Sequence, residues 1–147
     1  MTDQKKLILT GTGTFGRVYL SKLKDKDQYY AMKMLKKIEV IRLKQVEHIN
    51  SERGILAEVK FPFVVNLLCT FQDERHVYML LEYVVGGELF SHLRKAGRFS
   101  NEMTRFYTSE ITLAIEFLHN KNIIYRDLKP ENLVCLSICS LAVAAGS

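Results

Sequence analysis

Apolar positions in the first half of the chain come in short runs separated by polar turns, the texture of an antiparallel sheet. Leu7-Ile8-Leu9 and Arg17-Val18-Tyr19-Leu20 flank a glycine-rich turn, residues 29–35 form a third run, and residues 64–71 and 76–83 flank Gln72-Asp73-Glu74-Arg75. Five antiparallel strands are predicted. Between the third and fourth runs, Val40, Leu43, Val46, Ile49, Ile55, Leu56 and Val59 recur at helical spacing ahead of Pro62, which predicts one helix over residues 39–59. The texture changes at Gly86-Gly87, the expected boundary between two sub-structures. Beyond it, residues 88–95 predict a short helix, and a longer one begins near Ser100, a good N-cap with Glu102 in the first turn. Met103, Phe106, Tyr107, Ile111, Leu113, Ala114, Ile115, Phe117 and Leu118 cover more than one stripe of that helix, so it requires burial on several sides.

A length of 147 residues suits one domain and one core. Apolar residues at 48% and charged residues at 25% exclude wholesale disorder, a collagen-like chain and a polytopic membrane protein. Cys69, Cys135 and Cys139 are too few for a disulfide framework, and the N-terminus lacks an apolar leader core, so a reducing cytoplasm is the expected compartment. The net charge of +5 is scattered among acids rather than gathered in a block, and no nucleic-acid partner is expected. The apolar stretch 133–145 is shorter than the roughly 17–25 residues of a membrane span and is interrupted by Ser137 and Ser140, so no span is expected. Cys135 and Cys139 have no partner pair at metal-site spacing and read as buried or incidental thiols.

Gly11-Thr12-Gly13-Thr14-Phe15-Gly16 is a G-x-G-x-x-G pattern, whose glycines let backbone N–H groups approach phosphate oxygens. A dinucleotide-binding unit needs a helix directly after the third glycine, whereas Arg17-Val18-Tyr19-Leu20 alternates like a strand. A Walker loop is excluded by the lack of Gly-Lys-Ser/Thr. Taken alone, the loop leaves a plain glycine-rich hairpin turn as the lesser alternative.

Other residues fix its meaning. Tyr30-Ala31-Met32-Lys33 falls on the third strand, Glu52 on the following helix, and Tyr125-Arg126-Asp127-Leu128-Lys129-Pro130-Glu131-Asn132 after the long helix. In that order they resemble the protein-kinase signature of glycine-rich loop, V-A-I-K lysine, helix glutamate and H-R-D-L-x-x-x-N loop. Tyr125 in place of His, and Glu82-Tyr83-Val84-Val85-Gly86-Gly87-Glu88-Leu89-Phe90, resemble the AGC group. Val40-Ile41-Arg42-Leu43-Lys44-Gln45 and Asp73-Glu74-Arg75 resemble its cAMP-dependent-kinase branch, which includes protein kinase X.

The resemblance covers about residues 7–134 and implies an α+β fold. A small lobe of five antiparallel strands plus one helix would occupy residues 1–85, the start of a helical large lobe residues 86–134, and a divergent apolar tail residues 135–147. It further implies ATP and Mg²⁺ as cofactors and phosphorylation of Ser or Thr in basic protein substrates. Residues 11–16 would cradle phosphates, Lys33 would neutralise α/β-phosphate oxygens, and Glu52 would hold its ammonium. Asp127 would accept the proton of a substrate hydroxyl, Lys129 would reach the γ-phosphate, and Asn132 would bind Mg²⁺. Adenine would lie among Val18, Ala31, Val65, Leu81 and Val134, with Glu82 and Val84 offering backbone hydrogen bonds. Glu88 would contact the ribose and, with Glu131, attract arginines of the substrate. A cAMP-binding regulatory subunit is an expected partner, and the nucleus a second compartment.

After Val134 the resemblance calls for a short hairpin and then D-F-G, the activation loop and A-P-E. The chain instead reads Cys135-Leu136-Ser137-Ile138-Cys139-Ser140-Leu141-Ala142-Val143-Ala144-Ala145-Gly146-Ser147, and Asp127 is its last aspartate. The expectation is a truncated isoform with weak or absent transfer. The alternative is a catalytically dead chain that binds ATP or sequesters a partner.

Overall fold

The computed structural model describes residues 5–12, 16–22, 27–137 and 140–144, with residues 5–12 and 136–137 as backbone only. The chain forms two compact units, where length alone suggests one core: Met1–Glu58 with Asn66–Tyr83, and Val59–Val65 with Val84–Gly146. It therefore enters the second unit at residue 59, returns at 66 and leaves again at 84.

In the first unit, β2 (Gly16–Lys22), β3 (Tyr29–Lys36), β4 (Leu67–Gln72) and β5 (His76–Glu82) are described with their side chains, and β1 (Lys5–Thr12) joins them through backbone pairing. All pairs are antiparallel, in the order β1-β2-β3-β5-β4. Residues directly opposite share a face, as do alternate residues along a strand. Ala31 lies opposite Leu20 and Leu81, and Lys33 opposite Val18 and Met79, so all six share one face. On that face Leu35 and Met79 are fully buried under Val40 and Ile49. The other face buries Tyr30, Met32 and Leu80, with Tyr19 and Tyr78 packed against them.

The single helix expected over residues 39–59 is two, α1 (Lys37–Arg42) and α2 (Val46–Glu58). Lys44 sits between them at φ 54°, its N–H donating to the Ile41 carbonyl at 3.0 Å and that of Gln45 to the Val40 carbonyl at 2.9 Å. This is a left-handed helix stop, usually made by glycine, which is why apolar spacing alone does not signal it. Lys44→Gly is expected to raise stability by a few tenths to about 1 kcal/mol, read as a higher urea midpoint, because relief of the left-handed strain outweighs glycine's extra chain entropy.

The run expected over 64–71 is a strand only from Leu67. Val64 and Val65 instead belong to the second unit. The turn between β4 and β5 is held by Asp73: its Oδ2 accepts the Tyr78 hydroxyl, and its Oδ1 the N–H groups of Arg75 and His76, each at 2.7 Å. The Tyr78 hydroxyl first, then those two N–H groups, draw the Asp73 carboxyl down to about 2. The same bond to Asp73, then burial, pushes Tyr78 up to about 12. Asp73 therefore contributes its stabilisation above about pH 4, its unfolded value, and loses it as the pH falls toward 2. Tyr78 contributes below about pH 10 and loses its share as the pH rises through 12. Asp73→Asn is expected to flatten the acid side of a plot of urea midpoint against pH.

The second unit contains α3 (Leu89–Ala96), α4 (Asn101–Asn120), a 3-10 turn (Pro130–Asn132), and the hairpin β6 (Leu133–Ser137) and β7 (Ser140–Val143). Ser100 caps α4, its Oγ accepting the Met103 N–H at 3.1 Å. Burial of α4 is concentrated on one stripe, Tyr107, Glu110, Ala114 and Leu118, while Met103, Phe106 and Leu113 stay exposed. The broad coating of apolar residues is thus only partly used. Phe61 stacks on Phe117 with ring centroids 4.3 Å apart.

β6 runs straight through position 135, where the resemblance ends and the divergent tail begins by sequence. β7 then pairs back onto β6 and packs against α4. Val143 bridges to Val64, donates to the Phe63 carbonyl at 2.9 Å and accepts the Val65 N–H at 3.0 Å. These bonds account for the placement of residues 59–65 in this unit. Among the described residues no helix is long and apolar enough to cross a membrane.

Candidate functional site

In the first unit, β3 carries Lys33 on the face shared with Val18, Ala31 and Leu81. Ile49 on α2 packs onto the core cluster of Leu35 and Met79, and Glu52 follows one turn later on the same side. The Lys33 Nζ lies 2.8 Å from Glu52 Oε1, with side chains only 12% and 18% exposed. A cation is thereby fixed on an apolar sheet face, an arrangement suited to an anion attached to a flat apolar group. Val18 and Ala31 are half-buried and Leu81 is buried.

Gly11 and Thr12 end β1 and Gly16 begins β2, while Gly13, Thr14 and Phe15 lie outside the described residues. A Cβ on Gly16 would stand 2.5 Å from the Met34 carbonyl oxygen and 2.6 Å from Leu35 Cδ2. Close approach to β3 therefore demands glycine there, apart from any phosphate role. Glu82 donates its N–H to the Asn66 carbonyl at 3.0 Å, and its carboxylate accepts the Asn66 amide at 2.9 Å. That N–H is engaged and is not free to meet a base.

In the second unit, the stretch after α4 turns at Arg126, whose φ of 65° is left-handed. The loop then folds around Asp127. Lys129 Nζ lies 3.0 Å from Asp127 Oδ1, and Asn132 Nδ2 donates to Asp127 Oδ2 at 2.7 Å and to its carbonyl at 3.0 Å. The Lys129 ammonium first, against the opposing effect of burial and with help from the Asn132 amide, holds the Asp127 carboxyl below its usual range. Asp127 is therefore an ionised acceptor at neutral pH.

The donor set here suits a hard cation. Asn132 directs its amide nitrogen at Asp127, so its Oδ1 is the oxygen a Mg²⁺ ion would meet. No cluster of three or more His, Cys, Asp or Glu suited to a metal occurs among the described residues. Water or phosphate oxygens would have to supply the remaining ligands, as is usual for this ion.

Val134 is half-buried on β6 and bridged to Glu88, which heads α3, is exposed, and makes no side-chain cap bond. Val65 is buried, Val84 half-buried and Glu131 exposed. The structure thus joins Lys33 with Glu52 in one unit, and Asp127 with Lys129 and Asn132 in the other. Sequence reasoning missed Glu110 and the bond that Tyr125 makes, both of which meet the segment 141–144. The Tyr125 hydroxyl donates to the Ala144 carbonyl at 2.7 Å, and the buried Glu110 accepts the Leu141 N–H at 2.6 Å. The available signal for Glu110 was an acid on the apolar stripe of a helix, between Tyr107 and Ala114.

The model of the family described as Protein kinase domain matches residues 4–140. The cAMP-dependent protein kinase catalytic subunit of Dictyostelium discoideum is 58% identical over 91% of this chain and 21% of its own length. The cAMP-dependent protein kinase catalytic subunit PRKX of Homo sapiens is 52% identical over 91% of this chain and 37% of its own length. The cAMP-dependent protein kinase type 3 of Saccharomyces cerevisiae is 50% identical over 91% and 34% respectively. The chain spans about a fifth to two-fifths of the length of these curated relatives. Since the match runs through both units and includes the strand lysine, the helix glutamate and the loop around Asp127, this chain belongs to the protein kinase family.

Proposed function

We propose that this chain binds ATP with Mg²⁺ and belongs to a serine/threonine kinase acting on basic protein substrates, with a cAMP-binding regulatory subunit as a partner of the whole protein. The observation that carries this reading is the Lys33–Glu52 pair at 2.8 Å, a fixed cation on an apolar sheet face. Lys33 binds the phosphates and Glu52 keeps its ammonium in place. Asp127 takes the proton of the acceptor hydroxyl as its oxygen bonds to the γ-phosphorus and the bond to the departing ADP oxygen breaks. Lys129, beside Asp127, neutralises charge on the transferring group. Mg²⁺, when bound, would supply neutralisation of the phosphates, and Asn132 Oδ1 would help to hold it.

Transfer by this chain is expected to be weak or absent. The hairpin that should precede D-F-G ends at Val143, and the following residues read Ala144-Ala145-Gly146 with no carboxylate among them. The exposed Met103, Phe106 and Leu113 on α4 favour the second reading, a chain that holds a partner without transferring phosphate.

Calorimetric titration of the purified chain with ATP, with and without Mg²⁺, tests the proposal, alongside γ-phosphate transfer to an arginine-rich peptide. Metal-dependent ATP binding with transfer near background is expected. Absence of ATP binding would sink the nucleotide reading, and transfer far above a Lys33→Met control would overturn the claim of weak activity.

A further inference from the structure

Glu110 is a buried carboxylate for which the phosphoryl-transfer reading has no use. It stands on the stripe that α4 buries, three residues after Tyr107 and four before Ala114, and only 7% of it is exposed. Acids at such depth are rare without a partner. Its partner is the backbone of β7: Oε2 accepts the Leu141 N–H at 2.6 Å, a short bond. The Cys135 thiol, opposite Leu141 in the hairpin, is pushed up by burial and then by the charge of Glu110, a second sign that the carboxylate faces the hairpin.

Hydrogen-bond pairing alone specifies the register of this hairpin weakly. It has two strands, an irregularity between Cys135 and Ser137, and small or aliphatic side chains from Leu141 to Ala144 whose pattern a slip would disturb little. Val143 is tied to Phe63 and Val65, and the fixed acceptor on α4 adds a second anchor by selecting one N–H at the other end of β7. From there the strand runs to Ala144, which grips the loop twice. Its N–H donates to the Asn132 carbonyl at 2.8 Å, and its carbonyl accepts the Tyr125 hydroxyl at 2.7 Å.

We propose that Glu110 is a positioning residue for the loop from Tyr125 to Asn132: it sets β7 on α4, and β7 holds Asn132 and Tyr125 through Ala144. The consequence for phosphoryl transfer rests on the function proposed above. The positioning itself does not, and is measured without nucleotide.

The test compares backbone amide exchange and the Asn132 side-chain amide resonances, by NMR of the full chain, in the parent, Glu110→Gln and Glu110→Leu. Leucine removes the acceptor, so Leu141 and Ala144 should both exchange about tenfold faster or more, and the Asn132 side-chain signals should move toward free-amide values. Amides of β3 and β5 should keep their protection. Glutamine retains an uncharged acceptor and should restore most of the protection, leaving a change of a few-fold shared by Leu141 and Ala144. Faster exchange at Leu141 with Ala144 and Asn132 unchanged overturns the proposal, because the anchor would then be local. Glutamine behaving like leucine also overturns it, since acceptance of the N–H would not be what matters. If the leucine variant fails to fold, the glutamine variant decides: a joint change at Leu141 and Ala144 supports the proposal, and a change at Leu141 alone or at neither refutes it.

Discussion

Gly86→Ala is expected to destabilise the second unit by about 3 kcal/mol or more, one of the largest effects of any single methyl added to this chain. A Cβ at Gly86 would stand 2.7 Å from the Cys135 Cβ and 2.8 Å from its carbonyl carbon, with the carbonyl oxygen closer still. Neither side can yield easily. The Cys135 N–H donates to the Gly87 carbonyl at 2.8 Å, Glu88 bridges to Val134, and a His92 ring nitrogen lies 2.6 Å from the Gly86 carbonyl oxygen. The turn and β6 are thus tied together on both sides of the point where the methyl must fit. Gly87 is the control, since it has a φ of +72° and nothing within 4 Å of an added Cβ. Gly87→Ala should cost only the left-handed strain, roughly 1–2 kcal/mol. Urea unfolding followed by a probe in the second unit separates the two. Equal losses would mean that β6 is not clamped to the turn.

Lys33→Met is expected to weaken ATP binding by about 10- to 100-fold, the 1.5–3 kcal/mol of a hydrogen bond to a charged phosphate. The methionine fills the space of the aliphatic stem, so packing against β2 and β5 is largely kept. Glu52 loses the ammonium it now meets at 2.8 Å. Both side chains are mostly buried, and the loss of that partner should lower the stability of the first unit by roughly 1–2 kcal/mol. Glu52→Gln retains an acceptor for Lys33, and its effect on ATP affinity should be only a few-fold. Calorimetry gives the affinities and denaturant midpoints the stabilities. If Lys33→Met bound ATP as the parent does while losing stability, the pair would be a structural ion pair and not a phosphate site.

Much of the candidate site was legible in the sequence because its residues sit in local motifs. Lys33 lies in a strand pattern, Glu52 on a helical repeat, and Asp127, Lys129 and Asn132 within one short polar stretch that bends back on itself. Their roles required the resemblance, since each alone is an ordinary surface residue. The antiparallel strands and the Ser100 cap were legible for the same reason: period two, period 3.6 and a capping serine depend on neighbours within a few residues. Local signals failed where the backbone took an uncommon path on a common residue, as at Lys44, which divides one apparent helix into two.

The elements and the family signature are both written in short-range spacing along the chain. Folding adds what spacing does not hold: Val64 and Val65 leave the sheet to meet Val143, the apolar stretch after Val134 becomes a hairpin, and Glu110 is buried against Leu141. Each of these joins positions far apart along the chain. Their free energy comes from backbone groups and apolar surface removed from water together, and no local pattern records which distant segment supplies the other half.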